Sequence, residues 1–118
     1  MLSFFKKRKE NRKPSQKWRI PVDMSYRRID NGDSIQFVNA DQSIILYFSF
    51  LTFSGDSLLS EEIIRKMQPS VARSDEGWQF KGARQEGNEL LICAFTFTKE
   101  SDEALVKELF ASIVYIGK

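Results

Sequence analysis

The chain carries a single cysteine, Cys93, and no histidine. Without imidazole, a general base would have to be a carboxylate, a lysine or that one thiol. Neither a Ser–His–Asp triad nor a His-bearing metal site can be built, and a lone cysteine forms no internal disulfide or Cys cluster. Cys93 falls inside the apolar run Leu90-Leu91-Ile92-Cys93-Ala94-Phe95-Thr96-Phe97, where a free cysteine packs as a small hydrophobe. The six glycines form neither a phosphate loop nor a dinucleotide fingerprint. Carboxylates are plentiful, yet no spacing pairs an acid with a base. These residues predict no enzyme, no metal and no cofactor.

Two other features invite a binding role. The run Tyr47-Phe48-Ser49-Phe50-Leu51-Thr52-Phe53 has the composition of a base-stacking platform, but no Lys or Arg lies between Ile29 and Ile64 to hold phosphates. Core packing is the better reading of those aromatics. Residues 1–17 hold seven basic side chains, among them Lys6, Lys7, Arg8 and Lys9, against Glu10 alone, a local charge of +6. The remaining residues hold 11 basic and 15 acidic groups, so the net +2 of the whole joins a basic segment to a body of −4. A run so dense in like charge predicts a disordered tail over 1–17. It is a solubilising leader or a weak contact to an anionic membrane, with Leu2, Phe4 and Phe5 dipping in, or to nucleic acid. Its apolar stretch is too short, and too early, for a secretory signal. No segment approaches the 18 or so apolar residues of a membrane helix, and a cytoplasmic setting is expected.

The elements that must position these residues follow from periodicity. At 118 residues, 42% hydrophobic and 13% aromatic, the chain suits one domain, here 18–118, able to bury about two-thirds of its unfolded surface. Trp18, Ile20, Val22 and Met24 alternate as an extended segment that Pro21 restricts to an edge. Asn31-Gly32 predicts the centre of a type I′ turn between strands. Ile35–Val38 is the second strand, and 43–53, apolar on both faces, predicts a central strand covered on both sides. Leu59, Ile63 and Met67 recur at helical spacing before Pro69, after an N-cap at Asp56 or Ser57. A loop through Arg73-Ser74-Asp75-Glu76-Gly77 leads to a hairpin of Trp78–Arg84 and Glu89–Thr98. Ser101 begins a final helix with rows Leu105/Leu109/Ile113 and Val106/Phe110/Val114, supported by a Glu103–Lys107 pair. The order βββ-α-ββ-α predicts an α+β domain, a five-stranded mainly antiparallel sheet packed by two helices.

Turns of an antiparallel meander alternate between sheet ends, so Asp30, Asp33, Asp56, Glu86 and Glu89 are expected at one end. Such residues favour turns for backbone reasons, but together they would also steer a basic partner.

The pattern resembles the PsbP-like fold, which includes bacterial DcrB-like proteins and small chaperones of type VI secretion effectors. The likeness rests on Trp18-Arg19-Ile20-Pro21, the strand pair within 35–53, the helix Leu58–Met67 and the closing hairpin and helix from Trp78 to Ile116. It implies a chaperone that holds an effector segment in an apolar groove or on a sheet face, through an exposed aromatic such as Tyr47 or Trp78. The composition itself suits a non-catalytic protein-binding domain, an immunity protein that neutralises a toxin through its acidic end. An adaptor working through the basic tail is the remaining reading.

Overall fold

A computed structural model describes residues 13–52, 65 and 67–117. Six strands form one antiparallel sheet: β2 (Arg27–Asp30), β3 (Ser34–Val38), β4 (Ile44–Thr52), β5 (Ser70–Ser74), β6 (Gly77–Glu86) and β7 (Glu89–Phe97), in the order β2-β3-β4-β7-β6-β5. A separate two-stranded ladder joins β1 (Trp18–Arg19) to β8 (Val114–Tyr115). Among the described residues the one α-helix element is α1 (Glu103–Ala111), with 3-10 turns at Pro14–Lys17 and Glu100–Asp102.

This corrects the expected five-stranded sheet with two helices: half of the described residues lie in strands, and the main sheet has six of them. The additional strand is β5, expected as a loop. Its residues are mostly polar because it is an edge strand, paired on one side to β6 from Ser70↔Lys81 to Ser74↔Gly77. The turn that makes this possible needs glycine. Gly77 has φ +133°, and a Cβ there would stand 2.5 Å from the Phe97 carbonyl oxygen. Most of the expected helix Leu58–Met67 lies outside the described residues.

The first hairpin also differs in detail. Asp30 pairs with Ile35 and the Asn31 N–H donates to the Ser34 carbonyl, so the turn centres on Gly32-Asp33, one residue later than expected. Positive φ occurs at Gly32 alone, the pattern of a type II′ turn. Two contacts hold that register: the Gly32 N–H donates to Asp30 Oδ1 and the Phe50 N–H to the Asp33 carbonyl.

One face of the sheet holds the core. Ile44, Leu46, Phe48 and Phe50 of β4 lie beside Leu91, Cys93, Phe95 and Phe97 of β7, all buried. Phe48–Phe95 and Phe80–Phe95 ring contacts at 5.2 and 5.4 Å carry the aromatic packing across three strands. Each such buried side chain contributes roughly 1.5–3 kcal/mol. β4 is central, as expected, but its other face is not fully covered: Tyr47 and Leu51 are exposed.

Two elements cover the core face. α1 packs Val106 and Phe110, followed by Ile113, over β6 and β7, while Leu105 and Val114 of the expected helix rows stay exposed. The helix is capped differently from expectation: Asp102 is the N-cap and makes no side-chain cap bond. The Glu103–Lys107 pair forms at 2.6 Å. The second cover is the strap from Trp18 to Tyr26, which packs Trp18, Ile20, Val22 and Tyr26 against the core. Strap and helix are clamped where Trp18 meets Tyr115 edge-on at 4.9 Å and the Ile116 N–H donates to the Lys17 carbonyl. Among the described residues the buried Trp18 Nε1 has no hydrogen-bond partner.

Phe110 fixes the helix on the sheet. It sits above Gly82, with Phe80 at 5.2 Å on one side and the Arg84 guanidinium at 5.8 Å on the other. A Cβ on Gly82 would come within 3.0 Å of the Phe110 ring. Gly82→Val should therefore lower stability by about 1–3 kcal/mol through overpacking. In urea unfolding, the double variant with Phe110→Ala should lose less than the sum of the single losses; strict additivity would contradict this seat.

Candidate functional site

The antiparallel register brings the β2–β3 turn, the end of β4 and the β6–β7 turn to the same end of the sheet. Asp30, Asp33, Glu86 and Glu89 therefore share that end, whereas Asp56 lies outside the described residues. They do not form one patch. Three strand spacings, about 14 Å, separate the two turns. Asp30 accepts from the Gly32 N–H and the Arg28 guanidinium, 3.3 Å away, and these hold its carboxyl below the usual range. Glu89 faces inward and is buried: its carboxylate accepts from Lys17 Nζ and from the Thr52 hydroxyl, each at 3.1 Å. Asp30, Asp33 and Glu86 are exposed, and of these Asp30 is engaged by Arg28. Lys6, Lys7, Arg8 and Lys9 also lie outside the described residues, while Pro14–Lys17 form a 3-10 turn held to the sheet by the Lys17–Glu89 pair.

The two aromatics proposed for apolar contact part company. Trp78 is half-buried on the core face, stacked on Phe97 at 6.0 Å beneath the Arg73 guanidinium at 5.3 Å. Tyr47 lies on the opposite face. There it is joined by Leu51, four residues along β4, and by Ile92 of β7, which pairs with the intervening Ser49. All three are exposed, at 38%, 43% and 37%. They surround Ser49 as one apolar patch on two neighbouring strands. Beside it, Met67, Ala83, Ile92 and Ala94 line a mostly apolar hollow of about 380 Å³.

A second concavity lies in the seam between the two covers of the core face. Pro21, Val22, Asp23 and Tyr26 of the strap form one wall, and Leu105, Glu108, Leu109 and Ser112 the other. Leu46, fully buried in β4, forms the floor of this cleft of about 380 Å³. Burial, then the carboxylates of Asp102, Asp23 and Asp41, push the Tyr26 phenol above its ordinary value. Negative charge thus gathers at the end of the sheet opposite the one expected. Asp41 is engaged there by the Ser43 hydroxyl and N–H, with Lys99 at 3.5 Å, and its carboxyl is lowered accordingly. Asp23, Asp102 and Glu108 form no ion pair among the described residues. In the sequence, Leu105, Glu108, Leu109 and Ser112 share one side of a helix, but the Leu105/Leu109 row reads as core until the strap is seen to stop short of it.

Cys93 is fully buried, and burial pushes its thiol well up against the opposing effect of Arg84. Arg84 itself donates to the carbonyls of Phe110 and Ile113 at 3.3 and 3.1 Å, closing the C-terminal end of α1. Among the described residues no His, Cys, Asp or Glu cluster is arranged to hold a metal ion, and no helix is long and apolar enough to cross a membrane. No family model, curated protein or solved structure matches the chain.

Breaking the buried pair should be costly. Lys17→Met leaves the Glu89 carboxylate inside without its cation and should cost about 1–3 kcal/mol, less than a fully buried pair because Lys17 remains partly hydrated. Adding Glu89→Leu should return most of that loss in urea unfolding; no recovery would contradict the clamp. The Cys93 thiol should react with a thiol reagent only when the chain is unfolded, and rapid labelling in native buffer would overturn its placement.

Proposed function

We propose that the chain is a non-catalytic protein-binding domain that holds an apolar segment of a partner protein against the Tyr47 face of its sheet. The observation that carries this reading is the shared exposure of Tyr47, Leu51 and Ile92 on adjacent strands. Single exposed apolar residues are ordinary, but a contiguous group is the usual mark of an interaction surface. Tyrosine is suited to anchoring such contacts, offering a rigid ring with a polar tip. Binding of this kind is what a chaperone of a secreted effector performs, holding an apolar segment in the cytoplasm until export. The burial of Glu89 and the spread of the turns weigh against an acidic turn end as the principal contact.

A second reading, an immunity protein that neutralises a basic toxin, is supported by the carboxylates around Tyr26. It uses the opposite end of the sheet and the other face.

Site-specific photo-crosslinking in the native cell separates these readings. A benzophenone side chain at position 47 should trap one partner through an apolar peptide, while one at position 33 should trap little. With that partner purified, Tyr47→Thr with Leu51→Thr should weaken binding at least tenfold, about 1.4 kcal/mol. Threonine suits strands, so the melting temperature should change little. Full affinity in the double variant would remove the Tyr47 face from the reading.

A further inference from the structure

We infer that the cleft between the strap and α1 is a recognition pocket for a cationic alkyl side chain, the lysine or arginine of a basic polypeptide. The geometry suits an occupant that is apolar along its stem and positive at its tip. The floor is Leu46, and the walls bring Val22 and Pro21 opposite Leu105 and Leu109. An aliphatic stem lying there replaces water over apolar surface, as the stems of long basic residues do elsewhere. The polar groups of the lining come from both walls: Asp23 and the Tyr26 phenol on the strap, Glu108 on the helix. A cation between them meets a carboxylate from either side.

Three observations make this more than a group of acidic residues. The cleft is a built concavity whose floor is a core residue, within the size range of pockets that take small ligands. Leu105 is 46% exposed on a helix whose neighbouring Val106 is fully buried, so one cleft wall keeps apolar surface in contact with water. Among the described residues Asp23 accepts only the Ser25 N–H, at 2.9 Å, and neither Asp23 nor Glu108 forms an ion pair. Burial first, and then Asp102, Asp23 and Asp41, hold the Tyr26 phenol toward its neutral form. A neutral phenol presents an acceptor oxygen to an ammonium and a ring face to a guanidinium. Anionic occupants are disfavoured by the same groups, and an apolar one gains nothing from them.

The site lies on the core face, away from Tyr47, and stands or falls independently of the sheet-face reading. Its test uses the full chain and three probes of matched length: the N-acetyl amides of arginine, lysine and norleucine. Titrations followed by NMR of the methyl groups should show saturable shifts at Leu46, Val22, Leu105 and Leu109 with the two cations. Norleucine amide should bind at least about fivefold more weakly. Asp23→Asn with Glu108→Gln should weaken the cations about tenfold and leave norleucine unchanged. The asparagine keeps the acceptor for the Ser25 N–H, so the strap turn survives. Tighter binding of the arginine probe, lost in Tyr26→Leu, would identify a guanidinium stacked on the phenol; equal binding of both cations would identify charge as the recognised feature. Shifts that do not saturate, that norleucine matches, that centre on Ile35 and Leu90 beside the two opposite turns, or that persist in the double variant would overturn the pocket.

Discussion

The arrangement depends on how one ring is seated. Phe80, Gly82 and Arg84 are alternate residues of a single strand, so they project to the same face. Phe110 enters the gap that Gly82 leaves, with an aromatic ring before it and a guanidinium after it. The same Arg84 then donates to the carbonyls of Phe110, in the last turn of α1, and of Ile113, just beyond it. One strand therefore sets the position of α1 by shape and closes its terminus by hydrogen bonding. Helix packing, β8 and the Trp18–Tyr115 clamp are all referred to that seat, because β8 follows the helix within three residues of its last turn.

Seating α1 over β6 and β7 leaves β4 and β3 to be covered by something else. The strap from Trp18 to Tyr26 does that, but a strap and a helix have different thickness and cannot close over a sheet without a seam. Their joint is tight at one end, where β1 pairs with β8, and becomes the Leu46 cleft further along. The cleft is thus a consequence of covering one sheet face with two unlike elements. The Tyr47 patch has a related origin. β4 is apolar on both sides, and the two described covers both lie on the side that carries Phe48.

Much of this was readable from residue order. The strands β4 and β7, the two hairpins around Gly32 and Gly87, and the Glu103–Lys107 pair follow from local rules that act within a few residues, whereas the open face of β4 does not. β5 was not readable, since Val71 is the only strong strand former among Ser70–Ser74 and an edge strand needs little apolar surface. The placing of carboxylates followed from topology but their state did not. Glu89 belongs to the turn end in sequence, yet it is turned inward by Thr52 on one side and by Lys17, 72 residues away, on the other. Asp23 and Glu108, which form no ion pair among the described residues, are brought to one cleft by the strap and α1. Contacts of that range have no periodicity, and only the assembled fold displays them.

The resulting distribution of charge has a direction. Lys13 contributes to holding the Asp30 carboxyl low, and Lys17 is paired with Glu89 at the same end of the sheet. Asp23, Asp41 and Asp102 lie at the other end of the sheet, around Tyr26. A polarised body of this kind orients a charged partner before contact, an effect that weakens as salt shortens the screening length. Under the proposed cleft reading, a basic polypeptide would be drawn toward the Tyr26 end. The Tyr47 patch, whose strand β4 has no charged side chain between Ile44 and Thr52, offers a contact governed by area instead. Under the two proposals orientation and adhesion fall to different surfaces, and ionic strength would act on the first far more than on the second.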